Sequence, residues 1–137
     1  MIPSDLKNRL TVAKQKAITA TTDNTAVVSS IVDLQGYDGV LFAILSGSLV
    51  DADATFTLLV EEGEAANLSD AAAVSDDDLI GTEALASFTF AEDDTVKTIG
   101  YCGTKRYLRL TITPANNSSS ATFAILSIMQ PRLRGTA

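Results

Sequence analysis

Between Tyr107 and Thr113 the chain alternates with a period of two. Leu108, Leu110 and Ile112 fall on one side, and Tyr107, Arg109 and Thr111 on the other. A helix would scatter these residues around its axis. A strand sends successive side chains to opposite faces, so this segment is a strand with one buried face. A second β-rich run, Thr95–Tyr101, precedes it. Between the two lies the short stretch that begins Cys102-Gly103-Thr104-Lys105, with a glycine free to adopt positive φ. Such a link predicts an antiparallel hairpin.

The rest of the chain repeats the theme. Strands are expected at Ala17–Ala20, Ala26–Leu34, Val40–Leu45, Thr55–Glu62, Leu85–Phe90 and Ala121–Met129, with turn residues between them. Val40–Leu45 is apolar without a break, which marks a central strand or one covered on both faces. Pro3 and Ser4 suit a helix start, and Leu6, Leu10 and Ala13 share one face, so a short helix is expected over residues 3–14. Residues 63–84 are rich in Ala and acids and predict an excursion with one or two helical turns. Gly36-Tyr37-Asp38-Gly39 and Gly100-Tyr101-Cys102-Gly103 repeat a GYxG pattern, as if marking matching corners of two sheets.

The fold class is therefore all-β: an antiparallel two-sheet sandwich, jelly-roll-like, of about eight strands, with a short N-terminal helix and a helical excursion near 65–80. The 137 residues make one β-sandwich domain over 17–130, an N-terminal arm over 1–16 and a C-terminal tail over 131–137. The expected core is Val40, Phe42, Ile44, Phe56, Leu58, Val60, Leu108, Leu110, Ile112, Phe123 and Ile125.

Several classes of function fit poorly. The chain has no His, which removes His-based acid–base catalysis and most zinc sites, and its one Cys excludes an intrachain disulfide. No nucleophile motif, P-loop or GxGxxG is present, so no catalytic residue and no cofactor site is assigned. The acidic runs at Asp51 and Asp53, Asp76–Asp78 and Glu92–Asp94 lack the spacing of a calcium loop, so no metal site is assigned. With no Trp and three Tyr, a sugar-stacking platform is poorly supplied. A net charge of −7 argues against nucleic acid. The opening Met-Ile-Pro-Ser-Asp-Leu-Lys lacks the apolar core of a secretion signal, and no run reaches the ~18 apolar residues of a membrane span. A protein made in a cytoplasm and not bound to membrane is expected.

Charge is distributed unevenly. All ten Lys and Arg lie within 1–16 or 97–134, while of the 17 acids only Asp5 lies outside the stretch between them. The ends are thus candidates for attachment: Leu6, Lys7, Arg9 and Leu10 on the short helix, Lys105, Arg106, Tyr107 and Arg109 on the basic hairpin, and Arg132 and Arg134 on the tail. Tyr and Arg are favoured anchors at protein interfaces.

Three stretches carry a resemblance: Ile2-Pro3-Ser4-Asp5-Leu6-Lys7, Val32-Asp33-Leu34-Gln35-Gly36-Tyr37-Asp38, and Thr95 through Thr113. In these the chain resembles a family of small tailed-bacteriophage virion proteins encoded close to the major capsid protein. Where members often carry a closing His-Pro, this chain has Gln130-Pro131. The resemblance implies a capsid decoration, or cement, protein on the virion surface, with the major capsid protein as partner and a homo-oligomeric (dimeric or trimeric) state. The alternatives are a head–tail joining or tail component and, from a different class, a glycan- or host-surface-binding module.

Overall fold

A computed structural model of the chain describes residues 6–132. It is an antiparallel β-sandwich, as the alternation predicts. In chain order its elements are α1 (Leu6–Arg9), β1 (Thr11–Thr21), β2 (Val27–Val28), β3 (Val32–Asp33), β4 (Tyr37–Leu49), β5 (Thr55–Gly63), β6 (Ala72–Ala73), β7 (Leu79–Ile80), α2 (Glu83–Ala86), β8 (Phe88–Thr89), β9 (Val96–Tyr101), β10 (Tyr107–Ala115) and β11 (Ala121–Pro131). Two 3₁₀ turns, Asp76–Asp78 and Phe90–Glu92, precede β7 and β9.

One sheet has five strands in the order β1-β11-β4-β9-β7. The other is built on the long β5–β10 ladder, with β2 and β3 pairing β10, and β6 and β8 pairing β5. Strand β5 needs no full-length neighbour on its other side. Phe56 and Glu61 meet short strands there, while the Leu58 and Val60 amides donate to Ser87 Oγ (3.0 Å) and Glu83 Oε2 (2.5 Å) of the α2 segment. Side chains thus satisfy backbone groups that an open edge would offer to another strand.

All eleven expected core residues are buried between the sheets. Phe56 and Phe88 stack with ring centroids 4.9 Å apart, and Phe123 meets both edge-on at 5.9 Å. Edge-on and offset contacts suit the ring quadrupole.

The expected hairpin at 95–113 does not form. β9 pairs with β4 and β7, whereas β10 pairs with β5, β2 and β3, so residues 102–106 cross from one sheet to the other. Tyr101 explains the crossing. Its ring is buried in the core, and its hydroxyl donates to Glu62 Oε1 on β5 (2.7 Å) and accepts from the Lys105 amide (3.0 Å). A phenol that must reach both the core and the opposite sheet pulls the chain inward where a hairpin would turn back.

Other boundaries also move. The two GYxG stretches lie at one end of one sheet, since β4 begins with Tyr37 and Val40 pairs with Tyr101. Leu85 is in α2 and not in a strand. The N-terminal helix is confined to Leu6–Arg9 among the described residues, because Thr11 onward pairs with β11 from Thr11↔Met129. The division at residue 16 therefore falls inside β1, and Pro131 still belongs to β11. Of the excursion expected near 65–80, only Asp76–Asp78 is helical.

Candidate interaction surface

The two outer faces of the sandwich differ in character. On β5 and β10 the outward positions are mostly polar: Thr55, Thr57, Thr111 and Thr113, and the pair Arg109–Glu61, whose Nη2 and Oε1 are 3.1 Å apart. Leu59 and Val28 are exposed aliphatic side chains of that ladder, with Ile31 and Leu85 exposed in the segments beside it.

The outer face of the five-stranded sheet is aliphatic. Strand register arranges it in rows. Val12, Ile128, Leu41, Gly100 and Ile80 form one row from β1 to β7. Lys14, Leu126, Ala43 and Thr98 form the next. Ala124, Leu45 and Val96 form the third, and Ile18 of β1 shares a shallow recess with Leu45 and Ala124. The apolar runs 40–45 of β4 and 123–126 of β11 make this face, because a segment apolar at every position is apolar on both sides. The run Val40–Leu45 predicts a central strand or one covered on both faces; β4 is central, and among the described residues no layer covers this outer face, where Val12, Ile18, Ile80 and Val96 are exposed.

The sequence-predicted site residues separate into groups. Leu6 and Lys7 are exposed on α1, and Arg9 is half-buried. Leu10 joins Leu41, Ile80 and Ile128 at a recess on the rim of the apolar face. Lys105, Arg106 and Arg132 come together around a second recess of about 460 Å³ with Tyr37 and Asp38, and Asp38 borders both recesses. Tyr107 is half-buried on β10 with the Arg106 guanidinium 4.9 Å from its ring centroid, a cation–π contact. Arg134 lies outside the described residues.

The split between basic ends and an acidic middle is partly undone in space. Lys97 pairs with Glu92, Arg106 with Asp33 (2.8 Å), Arg109 with Glu61 and Arg132 with Asp38 (3.5 Å). Each pair joins a base from the ends to an acid from the middle. For Arg106, Arg109 and Arg132, antiparallel pairing places segments distant in sequence side by side, and opposite charges take those positions; Lys97 and Glu92 are near in sequence. The Arg106 guanidinium hydrogen-bonds Asp33 and holds its carboxyl below the usual range, and Asp33 in turn raises Arg106.

Of the acids weighed as calcium ligands, Asp51 staples a loop, and Asp70, outside those runs, staples another. Asp51 accepts from the Ser118 amide (2.8 Å), the Ser118 hydroxyl (3.0 Å) and the Asp53 amide (3.0 Å), and the amide bonds lower its pKa. Asp70 does the same for the Glu64 and Ala65 amides. Among the described residues no group of three or more His, Cys, Asp or Glu converges as metal ligands. Nor is any helix there long and apolar enough to cross a membrane. Sequence reasoning missed the apolar face as a site, although β4 and β11 carried its signal.

No protein-family model matches the chain, and no match is found among curated proteins. Solved structures do match. The PBSX exported protein XepA aligns with a TM-score of 0.59 at 14% identity, covering 98% of this chain and 41% of that one. The whole chain thus corresponds to less than half of XepA. A chain in the capsid of Ralstonia phage GP4 aligns with a TM-score of 0.52 at 11% identity, covering 98% of this chain and 91% of that one. A chain in the capsid asymmetric unit of cyanophage Pam1 aligns at 0.52 and 15% identity, with 90% and 85% covered. At such identities the likeness is one of fold.

Proposed function

We propose that this protein is a structural component of a tailed-phage virion, and specifically a decoration protein bound to the outside of the major capsid lattice. The supporting observation is the end-to-end match with chains from two phage capsid structures, in which little of either partner is left unaligned. The sequence resemblance points the same way. Ion pairs and loop staples brace the sandwich, which suits a rigid binding body. Attachment runs through α1 with Leu6, Lys7, Arg9 and Leu10, and through the recess of Lys105, Arg106 and Arg132. Many weak contacts repeated over one lattice combine as avidity.

Quantitative mass spectrometry of purified virions tests the role. A decoration protein has a copy number comparable to that of the major capsid protein. A number fitting a single ring would replace this reading with the head–tail joining one. Attachment is tested by deleting residues 1–9, which stops short of β1. The truncated protein should keep its melting temperature and lose binding to undecorated capsids. Unchanged binding would remove the N-terminal segment from the interface.

A further inference from the structure

We infer that the aliphatic outer face of the five-stranded sheet is the interface for a second copy of this chain, the two sheets packed face to face about a two-fold axis. The inference concerns the free protein and does not rest on the virion role.

Area is the first ground. Val12, Ile18, Ile80 and Val96 are 60%, 79%, 65% and 57% exposed, and Leu41 and Leu45 are each 37% exposed. These six side chains alone present about 600 Å² per copy, so a face-to-face pair removes about 1,200 Å², where specific interfaces begin. Aliphatic exposure of that size is at the upper end of what isolated soluble proteins usually leave uncovered in one patch.

Charge is the second. In an isologous interface a patch meets itself, so any charge near its middle meets its own copy. The rows from β1 to β7 hold no acid, and Lys14 on the outermost strand is their one base. That exclusion occurs in a chain with 17 acids and a net charge of −7. A partner chosen by opposite charge would find nothing there to recognise.

Shape is the third. The face is a ladder of aliphatic side chains, and such a ladder packs on another of the same kind at about 10 Å. It offers no aromatic platform to a sugar. Pairing edge to edge is hindered, since β1 is interrupted by register shifts at Lys14/Lys16 and Lys16/Thr19 and the Gln15 carbonyl is already taken by the Ser30 amide. Joining the aliphatic faces turns the Thr-rich faces outward on both sides of the dimer.

Analytical ultracentrifugation of the full chain at micromolar concentration should show a dimer. Leu41→Glu and, separately, Val96→Glu put a carboxylate into the face at positions outside the core. Each should raise the dimer dissociation constant by roughly 100-fold while leaving the circular dichroism spectrum intact. Thr113→Glu, on the opposite face, should leave the dimer unchanged. Cys102, exposed at the rim, carries a solvent-sensitive fluorophore whose emission should shift red as the wild type is diluted and stay constant in the two variants. If Leu41→Glu fails to fold, the more exposed Val96→Glu carries the test. A monomeric wild type overturns the inference, as does a dimer indifferent to substitutions on this face or one broken equally by Thr113→Glu. A face protected only when the protein sits on capsids also overturns it, because the occupant is then the shell. The copy-number measurement on virions is independent of all these outcomes.

Discussion

Replacing Tyr101 by Phe tests the crossing between the sheets with the loss of one oxygen atom. The Tyr101 hydroxyl donates to Glu62 Oε1 at 2.7 Å and accepts from the Lys105 amide at 3.0 Å, while its ring is buried. A neutral hydrogen bond contributes about 0.5–1.5 kcal/mol and one to a charged group about 1.5–3 kcal/mol. Glu62 is half-buried and regains some water when the phenol leaves, so its loss falls at the low end of that range. Together the two bonds give a cost of about 2–3 kcal/mol, and for a domain of this size a drop in Tm of roughly 6–12 °C. Urea unfolding of wild type, Tyr101→Phe, Glu62→Gln and the double variant should show coupling between the two sites of about 1 kcal/mol. Alkaline pH gives a second readout. Burial, and then the Glu62 carboxylate, push the Tyr101 phenol up from its ordinary value. The unfolded chain releases this proton near pH 10 while the folded one keeps it, so the contribution is complete below about pH 10 and declines as pH rises further. Tyr101→Phe should therefore lose stability less steeply above about pH 10 than wild type does. A change below about 0.5 kcal/mol with no coupling to Glu62 would mean that water serves these groups equally well, and the crossing would need another cause.

Leu110→Ala empties a fully buried site and should cost about 2–5 kcal/mol in urea unfolding; an effect near zero would put Leu110 on the surface. Gly103→Ala should lower Tm, because a Cβ there would lie 2.5 Å from the Tyr101 hydroxyl oxygen, which is pinned at both ends. Asp51 is held below the ordinary carboxyl value by the Ser118 and Asp53 amides, so its contribution is present above about pH 4 and is lost as pH falls through its folded pKa. A thermal melt series should show Asp51→Asn less acid-sensitive than wild type. A chelator should leave Tm unchanged, since Asp51 and Asp70 already accept backbone amides; a drop of several degrees would place a cation among the acidic loops.

What the sequence determined by itself was local. The period-two pattern at 107–113 set which side chains of β10 point inward, because strand geometry alone sends neighbours to opposite faces. The same pattern in β5, with the apolar runs of β4 and β11, was enough to identify the core. The runs also carried the character of the outer face, though not whether anything in the chain covers it. Pairing was decided only by tertiary structure. Residues 95–101 and 107–113 look like the two arms of a hairpin, and they lie in different sheets because Tyr101 reaches Glu62 across the core. Thr11–Lys16 reads as part of an arm, and it is a strand because β11 offers it a partner more than a hundred residues away. The bases of the ends and the acids of the middle form separate blocks along the chain, and pairing between distant segments brings them into contact in space. A side chain's direction depends on its own backbone, whereas its neighbours depend on every other segment competing for the same edge and the same core.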